Sequence, residues 1–294
     1  MRLVVGYLAT AGGADALALG VRLARTLGAE LDLCMVLPPD RVVPSIKPVG
    51  NFEEHLAEQA REWLVEASAS VPDDIGVRRH VRFDEAAVGL IHEAARVQAD
   101  MIVVGGHGGA LTGGFSLGSV VNELLHSAPL PVAVAPRGLR EAPAARVHEV
   151  TCAIGQRAGA RLLLETAVQF ARAAGTPLRL VSLVALDPLF GNLRGDVDAI
   201  LDHARAHARA VLEEAKAELP QGFPVSATVV DGPTVEEAVA KLDWRDGDLI
   251  MVGSSRLGAP RRLFLGSTAA KMLRVLKVPM VVVPRDQLHV TDLP

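Results

Sequence analysis

A glycine-rich segment near residue 105 has the residue types and spacing of an anion-binding loop. Gly105 and Gly108 are followed, after nine residues, by Gly118 and Ser119. Such a loop offers backbone N–H donors, glycine freedom at positive φ and, where a helix begins at Ser119, the positive end of a helix dipole. These features favour a phosphate group, with the Ser119 hydroxyl at the N-cap or on a phosphate oxygen. An ordinary tight turn with a serine cap is the alternative.

A second segment repeats this pattern at a constant offset of 148 residues. Gly253, Gly266 and Ser267 stand at the matching places, and segments farther upstream align at an offset of 147. Self-similarity of this kind indicates an internal repeat. The chain is therefore interpreted as two copies of one domain, at 1–140 and 146–294, joined by a linker rich in Pro and Ala.

The elements that must position these loops are short strands alternating with longer helices, which is typical of βαβ units. The runs MIVVG and LIMVG are apolar throughout, as expected for parallel strands covered on both faces. The prediction is an α/β fold of two tandem, doubly wound, five-stranded parallel-sheet domains of Rossmann-like type. Ligands of such sheets bind outside the carboxyl ends of the strands, where the winding reverses. The predicted strands are 2–8, 30–37, 77–83, 100–105 and 131–136, then 148–154, 177–185, 224–231, 248–253 and 279–284.

Composition argues against several classes of function. The 294 residues carry a net charge of -4, with seven Phe, two Trp and one Tyr, which disfavours nucleic acid as a partner. Cys34 and Cys152 lack the spacing of a disulfide framework or a zinc site, and both fall in predicted strands as small hydrophobes. This cysteine usage fits a reducing, cytoplasmic compartment. Since no apolar run reaches the ~18–20 residues of a membrane span, we expect a soluble protein without a membrane partner.

The first residues, MRLVVGYLATAGG, also resemble a short secretory signal. Because an equivalent segment recurs near residue 150, we expect a buried first strand instead.

The loop pattern, the VVG strand end before it and the APxPVxVxPR strand after it together resemble the universal stress protein family. The resemblance extends over nearly all of both copies, so the chain is similar to a tandem, two-domain member. It implies adenine-nucleotide binding in some members, with ATP as the expected ligand, no catalytic chemistry in most, and a regulatory role under stress. It also implies pairing through the fifth strands, here 132–136 and 281–284, as an internal pseudo-dimer, and a homodimer of chains is a further expectation.

The resemblance also implies the ligand-binding residues. In the second copy, Arg256 replaces the second glycine of the loop, and it either closes the site or supplies a cation to a phosphate. We favour an impaired or altered second site, with Leu183 on its adenine side. Carried over by position, the expected nucleotide-binding residues are Val36, Gly105, Gly108, Gly118 and Ser119 in the first copy, and Gly253, Gly266 and Ser267 in the second.

Both copies lack an aspartate that ATP-binding relatives carry just after the first strand. Leu8 and Gly155 stand at the aligned positions, and neither side chain accepts a hydrogen bond. An unpaired buried donor costs about 1–3 kcal/mol, roughly ten- to a hundredfold in affinity. Two alternatives to ATP therefore stay open. One is a nucleotide-free protein-interaction module of the same fold, and the other is a site for another phosphorylated ligand such as a cyclic nucleotide.

The remaining candidate residues are weaker. His203 and His207 lie one helical turn apart, but no third metal ligand is visible, so a solvated helix face is favoured. His107 could donate to a phosphate or be an exposed loop side chain. Asp84 and Asp231 are interpreted as helix caps after the third strand of each copy. No nucleotide-hydrolase, serine-hydrolase or zinc-protease motif is present in the sequence, so no catalytic or metal-binding residue is assigned and no enzyme is expected.

Overall fold

The computed structural model describes residues 1–39, 52–106, 118–155, 159–185, 197–255 and 263–284. Their contacts define a first unit over Met1–Arg146 and a second over Val147–Gln287. Across these described ranges, every helix is too short or too polar to cross a bilayer.

Strands and helices alternate along the first unit, and a 3-10 turn at Leu139–Glu141 follows its last strand. Its elements are β1 (Arg2–Gly6), α1 (Ala11–Leu27), β2 (Glu30–Leu37), α2 (Phe52–Ala69), β3 (Val77–Phe83), α3 (Ala86–Arg96), β4 (Met101–Gly105), α4 (Ser119–Ser127) and β5 (Val132–Ala135).

The second unit repeats the same alternation. Its elements are β6 (Glu149–Ala153), α5 (Ala160–Ala174), β7 (Leu178–Ala185), α6 (Val197–Ala217), β8 (Val225–Gly232), α7 (Val235–Ala240), β9 (Asp248–Gly253), α8 (Ser267–Val275) and β10 (Met280–Val283).

The strands of each unit form a parallel, doubly wound sheet. In the described part of the first unit, five strands lie in the order β3-β2-β1-β4-β5, and the second unit has the matching order β8-β7-β6-β9-β10. The winding reverses between β1 and β4, and between β6 and β9, so those two places are where a ligand is expected. The predicted α/β fold class is confirmed, and the strand ends differ from the prediction by one or two residues.

Local sequence explains where the helices that flank the sites begin and end. Thr10 is the N-cap of α1, and its Oγ1 accepts a hydrogen bond from Gly13 N at 3.2 Å. Gly28 ends the helix in the left-handed region with φ 65°, and Gly175 ends α5 in the same way with φ 66°. The central strands β1 and β4 are buried on both faces, which explains their continuous apolar sequence.

An ion pair links the first two strands of each unit, with its charges exchanged. In the first unit Arg2 donates to Asp32 from Nε at 3.1 Å and from Nη2 at 2.9 Å. In the second unit the places of these residues are taken by Glu149 and Arg179, whose Oε1 and Nε are 3.0 Å apart. The geometry is therefore maintained in both copies while the polarity is reversed.

A buried carboxylate of α3 joins this pair to the rest of the first unit. Glu93 is 1% exposed and accepts hydrogen bonds from Arg82 and Arg96. Burial favours its neutral form, but the hydrogen bonds from the two arginines hold the pKa of Glu93 below its usual value. His80 lies beside this network, with its Nε2 2.7 Å from Asp32 Oδ1. The network fixes α3 against β2 and β3, and α3 supplies a wall of the first cavity.

Candidate functional site

A cavity of about 310 Å³ opens at the carboxyl end of the first sheet, where the winding reverses. The structure brings four of the sequence-predicted residues together around it. They are Val36, Gly105, Gly118 and Ser119. The fifth, Gly108, lies outside the described residues, as does His107.

Gly105 is required by close packing rather than by a positive φ. A Cβ built on Gly105 would lie 2.6 Å from the carbonyl carbon of Gly12 and closer still to its oxygen. Neither Gly105 nor Gly118 has a left-handed backbone, since φ at Gly118 is -56°. For these two glycines the expected role of φ is therefore wrong, and at Gly105 the absent side chain lets α1 begin directly against the end of β4.

Ser119 is the first residue of α4 rather than its N-cap. The N-cap is Gly118, which has no side chain to bond the helix, and Ser119 is exposed at the start of the helix. The predicted capping role of Ser119 is therefore wrong, because the N-cap lies one residue earlier, at Gly118. The backbone donors of the first turn and the Ser119 hydroxyl are left for another acceptor.

A second helix end faces the same cavity. Thr10, Gly12 and Gly13 at the start of α1 line it, and the first turn of α1 contains no acidic residue. The positive ends of α1 and α4 therefore converge on one space, which favours an anionic group there.

The opposite wall of the cavity is apolar. Val36 packs under Gly89 of α3, where a Cβ would lie 2.7 Å from Val36 Cγ1. Cys34, two residues earlier on the same face of β2, lines the cavity together with Leu90. Burial, and next the negative charge of Glu93, raise the pKa of the Cys34 thiol to about 12, so it remains neutral. A flat apolar group would fit against this wall.

Sequence reasoning missed several wall residues. Cys34 was interpreted only as a core residue, yet the period-2 alternation of β2 places it beside Val36. Tyr7 and Thr10 were not considered, although threonine is a preferred N-cap residue and Thr10 directly precedes α1. The two cysteines are free and buried, as predicted, and burial likewise raises the pKa of Cys152.

Leu8 occupies the position at which the family resemblance implies an aspartate. It follows β1, lines the cavity and is 46% exposed. Among the described walls of this cavity, no side chain carries a charge. A ligand that needs a carboxylate acceptor at this end would find none in these walls.

The second unit has an equivalent but smaller cavity, of about 220 Å³. Gly253, Gly266, Leu183 and Gly155 line it, as the repeat predicts. Ser267 begins α8 after the N-cap Gly266 and is exposed, and its neighbour Thr268 lines the cavity instead. Arg256 lies outside the described residues.

The two arms of the second loop are joined at their base. Ser254 Oγ accepts from Phe264 N at 2.7 Å and lies 3.3 Å from Phe264 O, to which Ser255 N donates at 2.8 Å. In the first unit the place of Ser254 is taken by Gly106, which has no hydroxyl. The sequence therefore departs from the repeat at Ser254, whose side chain hydrogen-bonds the two sides of the second loop to each other.

The weaker candidates lie away from both cavities. His203 and His207 are exposed on α6, and the described part of the chain contains no cluster that could hold a metal ion. The capping prediction for Asp84 and Asp231 is wrong. Asp84 accepts from Glu85 N and contacts His92, whereas Asp231 pairs with Arg205 at 2.9 Å.

The fold and the cavities define a class: tandem, doubly wound α/β domains, each with a cavity at the reversal point of its sheet. A family model described as the universal stress protein family matches residues 1–136 and 147–284. The chain therefore belongs to the universal stress protein family, with two domains of that family in tandem.

Similar proteins agree with this assignment. Universal stress proteins of Mycobacterium bovis and of Mycobacterium tuberculosis are each 29% identical over 297 residues, covering 97% of this chain and all of theirs. The crystal structure of a universal stress protein from Archaeoglobus fulgidus has a TM-score of 0.66 at 19% identity, covering 97% of this chain and 98% of that one. A putative universal stress protein from Pseudomonas aeruginosa has a TM-score of 0.57 at 17% identity, covering 96% and 92%. These structural likenesses show the fold.

Proposed function

We propose that this protein binds an adenine nucleotide, with ATP as the expected ligand, in the first cavity and acts as a regulatory protein in a stress response. The observation that carries the proposal is the convergence of Val36, Gly105, Gly118 and Ser119 on one cavity at the reversal point of the sheet. The family to which the chain belongs supplies the expectation of a stress-related role.

The two sides of the cavity suit the two ends of a nucleotide. The starts of α1 and α4 favour phosphate oxygens, and the apolar wall of Val36, Cys34 and Leu90 favours a purine face. At about 310 Å³ the cavity lies at the lower end of the ~300–1,000 Å³ range of small-molecule sites.

We propose binding rather than catalysis. The thiol of Cys34 is neutral in its ordinary state, because its pKa is raised to about 12, so it is a poor nucleophile. A conformational change or a change of partner on binding is the expected output.

Leu8 favours a second candidate. Since an apolar, half-exposed side chain occupies the end where a carboxylate was sought, a cyclic nucleotide or another phosphorylated ligand would lose less affinity there than ATP. A nucleotide-free protein-interaction module is the outcome if no such ligand binds.

The first experiment identifies the ligand directly. Freshly purified full-length protein is denatured, released small molecules are identified by mass spectrometry, and ATP, ADP and cyclic AMP are titrated calorimetrically into the stripped protein. Gly118→Val should weaken ATP binding at least tenfold, about 1.4 kcal/mol, because it places a branched side chain at the start of α4. The backbone of Gly118, with φ -56° and ψ 153°, accepts valine without strain.

Gly266→Val is the matched control at the equivalent place of the second unit, and it should leave ATP affinity in the first cavity unchanged. Full ATP affinity in folded Gly118→Val protein would remove the first cavity from the proposal. The pairing of 132–136 with 281–284 and the homodimer remain predictions, to be tested by cross-linking those segments and by the mass of the protein in solution.

A further inference from the structure

The two cavities of the repeat differ in size. The second measures about 220 Å³ and the first about 310 Å³, although matching strands and helices of the repeat surround them. Small-molecule sites usually begin at ~300 Å³. The second cavity is therefore below the usual size of a small-molecule site, and its described walls differ from those of the first in side chains and in backbone.

Leu163 on α5 is the largest side chain added to the described walls of the second cavity, whereas Gly155, in place of Leu8, removes one. At the offset of 147 it replaces Ala16, which is fully buried and is not among the described walls of the first cavity. Leu163 is 4% exposed and lines the second cavity. Three carbon atoms are thus added where the first unit has only a methyl group.

Leu163 lies beside the end of β9. Its Cδ2 lies 3.6 Å from a Cβ built on Gly253, an ordinary van der Waals distance. In the first unit, the equivalent place beside Gly105 is occupied by the backbone of Gly12. Helix α5 begins at Ala160, two residues later in the repeat than α1, and the leucine occupies the space beside the strand end.

A second wall position changes in the same direction. Leu183 replaces Val36 on the adenine-side strand and packs against a cluster of buried residues of the second unit. Since Leu183 packs against this cluster, moving it to admit a larger ligand would displace packed side chains.

We propose that Leu163 excludes a nucleotide-sized ligand from the second cavity, so that each chain binds one nucleotide, in the first cavity. The inference rests on the proposed function of the first cavity. It assigns the difference between the two sites to a side chain of α5 rather than to the loop that carries Arg256.

Calorimetric stoichiometry with ATP on the full chain tests this assignment. The wild type should bind one ATP per chain, and Leu163→Ala should bind two. Leu164→Ala is the matched control, because Leu164 is the next residue of α5, is 5% exposed and is not among the described walls of the cavity. It should lose stability in a similar way and still bind one. Leu163→Val, a smaller truncation, replaces Leu163→Ala if that variant fails to fold.

A double variant that combines Leu163→Ala with Gly118→Val tests whether the additional ATP binds in the second cavity. Gly118→Val alone should bind ATP at least tenfold more weakly than the wild type, and the double variant with Leu163→Ala should regain one tighter site per chain. One ATP per chain in folded Leu163→Ala protein, or two in the wild type, would overturn the role of Leu163 and leave the proposed function standing. No ATP in the wild type would refute the proposed function. No ATP in Leu163→Ala as well would overturn both.

Discussion

Replacing Gly105 by alanine is expected to destabilise the first unit, whereas the same substitution at Gly253 is expected to be tolerated. The two glycines end equivalent strands of the repeat, and neither has a positive φ. The Cβ at Gly105 would lie 2.6 Å from the carbonyl carbon of Gly12, whereas the nearest atom to a Cβ at Gly253 is Leu163 Cδ2 at 3.6 Å. The comparison therefore isolates one steric contact.

The magnitude follows from the atoms that must move. To reach ordinary contact at 3.4 Å from 2.6 Å, the Gly12 carbonyl carbon must retreat by about 0.8 Å, and the carbonyl oxygen, which lies closer, must retreat farther. Because the obstacle is backbone at the start of a helix, we expect the full cost of overpacking, about 1–3 kcal/mol. At Gly253 the alanine restricts only the unfolded chain, which stabilises by about 0.4–1 kcal/mol.

Urea denaturation with a separate probe for each unit measures both effects. Each unit contains one tryptophan, Trp63 or Trp244, so Trp→Phe at either position leaves fluorescence that reports on the other unit. Gly105→Ala should lower the midpoint reported by Trp63 and also weaken ATP binding, because Gly12 lines the first cavity. Equal changes of unfolding free energy for the two substitutions would refute the packing argument.

Three further predictions concern ionisable groups that are buried or half-buried. Cys34 and Cys152 should resist a thiol reagent at pH 8 until the chain is unfolded, because burial raises the pKa of both thiols; fast labelling of the folded protein, seen by mass spectrometry, would contradict this. Since folding lowers the pKa of Glu93, its ionised form stabilises the protein at pH values above the ordinary pKa of 4.5. This contribution is lost as the pH falls through the lower pKa of Glu93 in the folded protein. Glu93→Gln should therefore cost most at pH 7 and progressively less in acid, and a loss of unfolding free energy that does not change with pH would argue against that ionisation. Reversing Glu149 and Arg179 together should recover much of the stability that each single reversal loses, with a coupling of about 0.5–3 kcal/mol, whereas simply additive losses would count against a direct pair.

Much of the fold could be predicted because its signals are local and repeated. Apolar runs such as MIVVG require burial on both faces, and βαβ alternation with short connections leaves few arrangements other than a doubly wound sheet. The repeat added a second observation of every element, so that strand ends were placed to within one or two residues.

The site was only partly predictable. Val36 and the described glycines of the first loop meet at one cavity because parallel strands end at one edge, which the pattern of the sequence implies. The reason why residue 105 must be a glycine was not predictable, since it depends on close contact with the backbone of Gly12, which is distant in sequence. The cap positions of Ser119 and Asp84 failed for a similar reason, because a helix end can shift by one residue without changing its pattern.

The sequence by itself determined the duplication, the α/β class and the edge of each sheet where a ligand is expected, because periodicity and spacing are properties of the chain. Only the tertiary structure decided how large each cavity is and which chemistry its walls present. Leu163 and Ala16 are equivalent in the repeat and look like ordinary core residues of a helix, yet the start of the helix places only the leucine in a cavity wall. Whether a buried side chain fills a site or merely supports it depends on a shift of a few ångströms between elements, which no local pattern encodes.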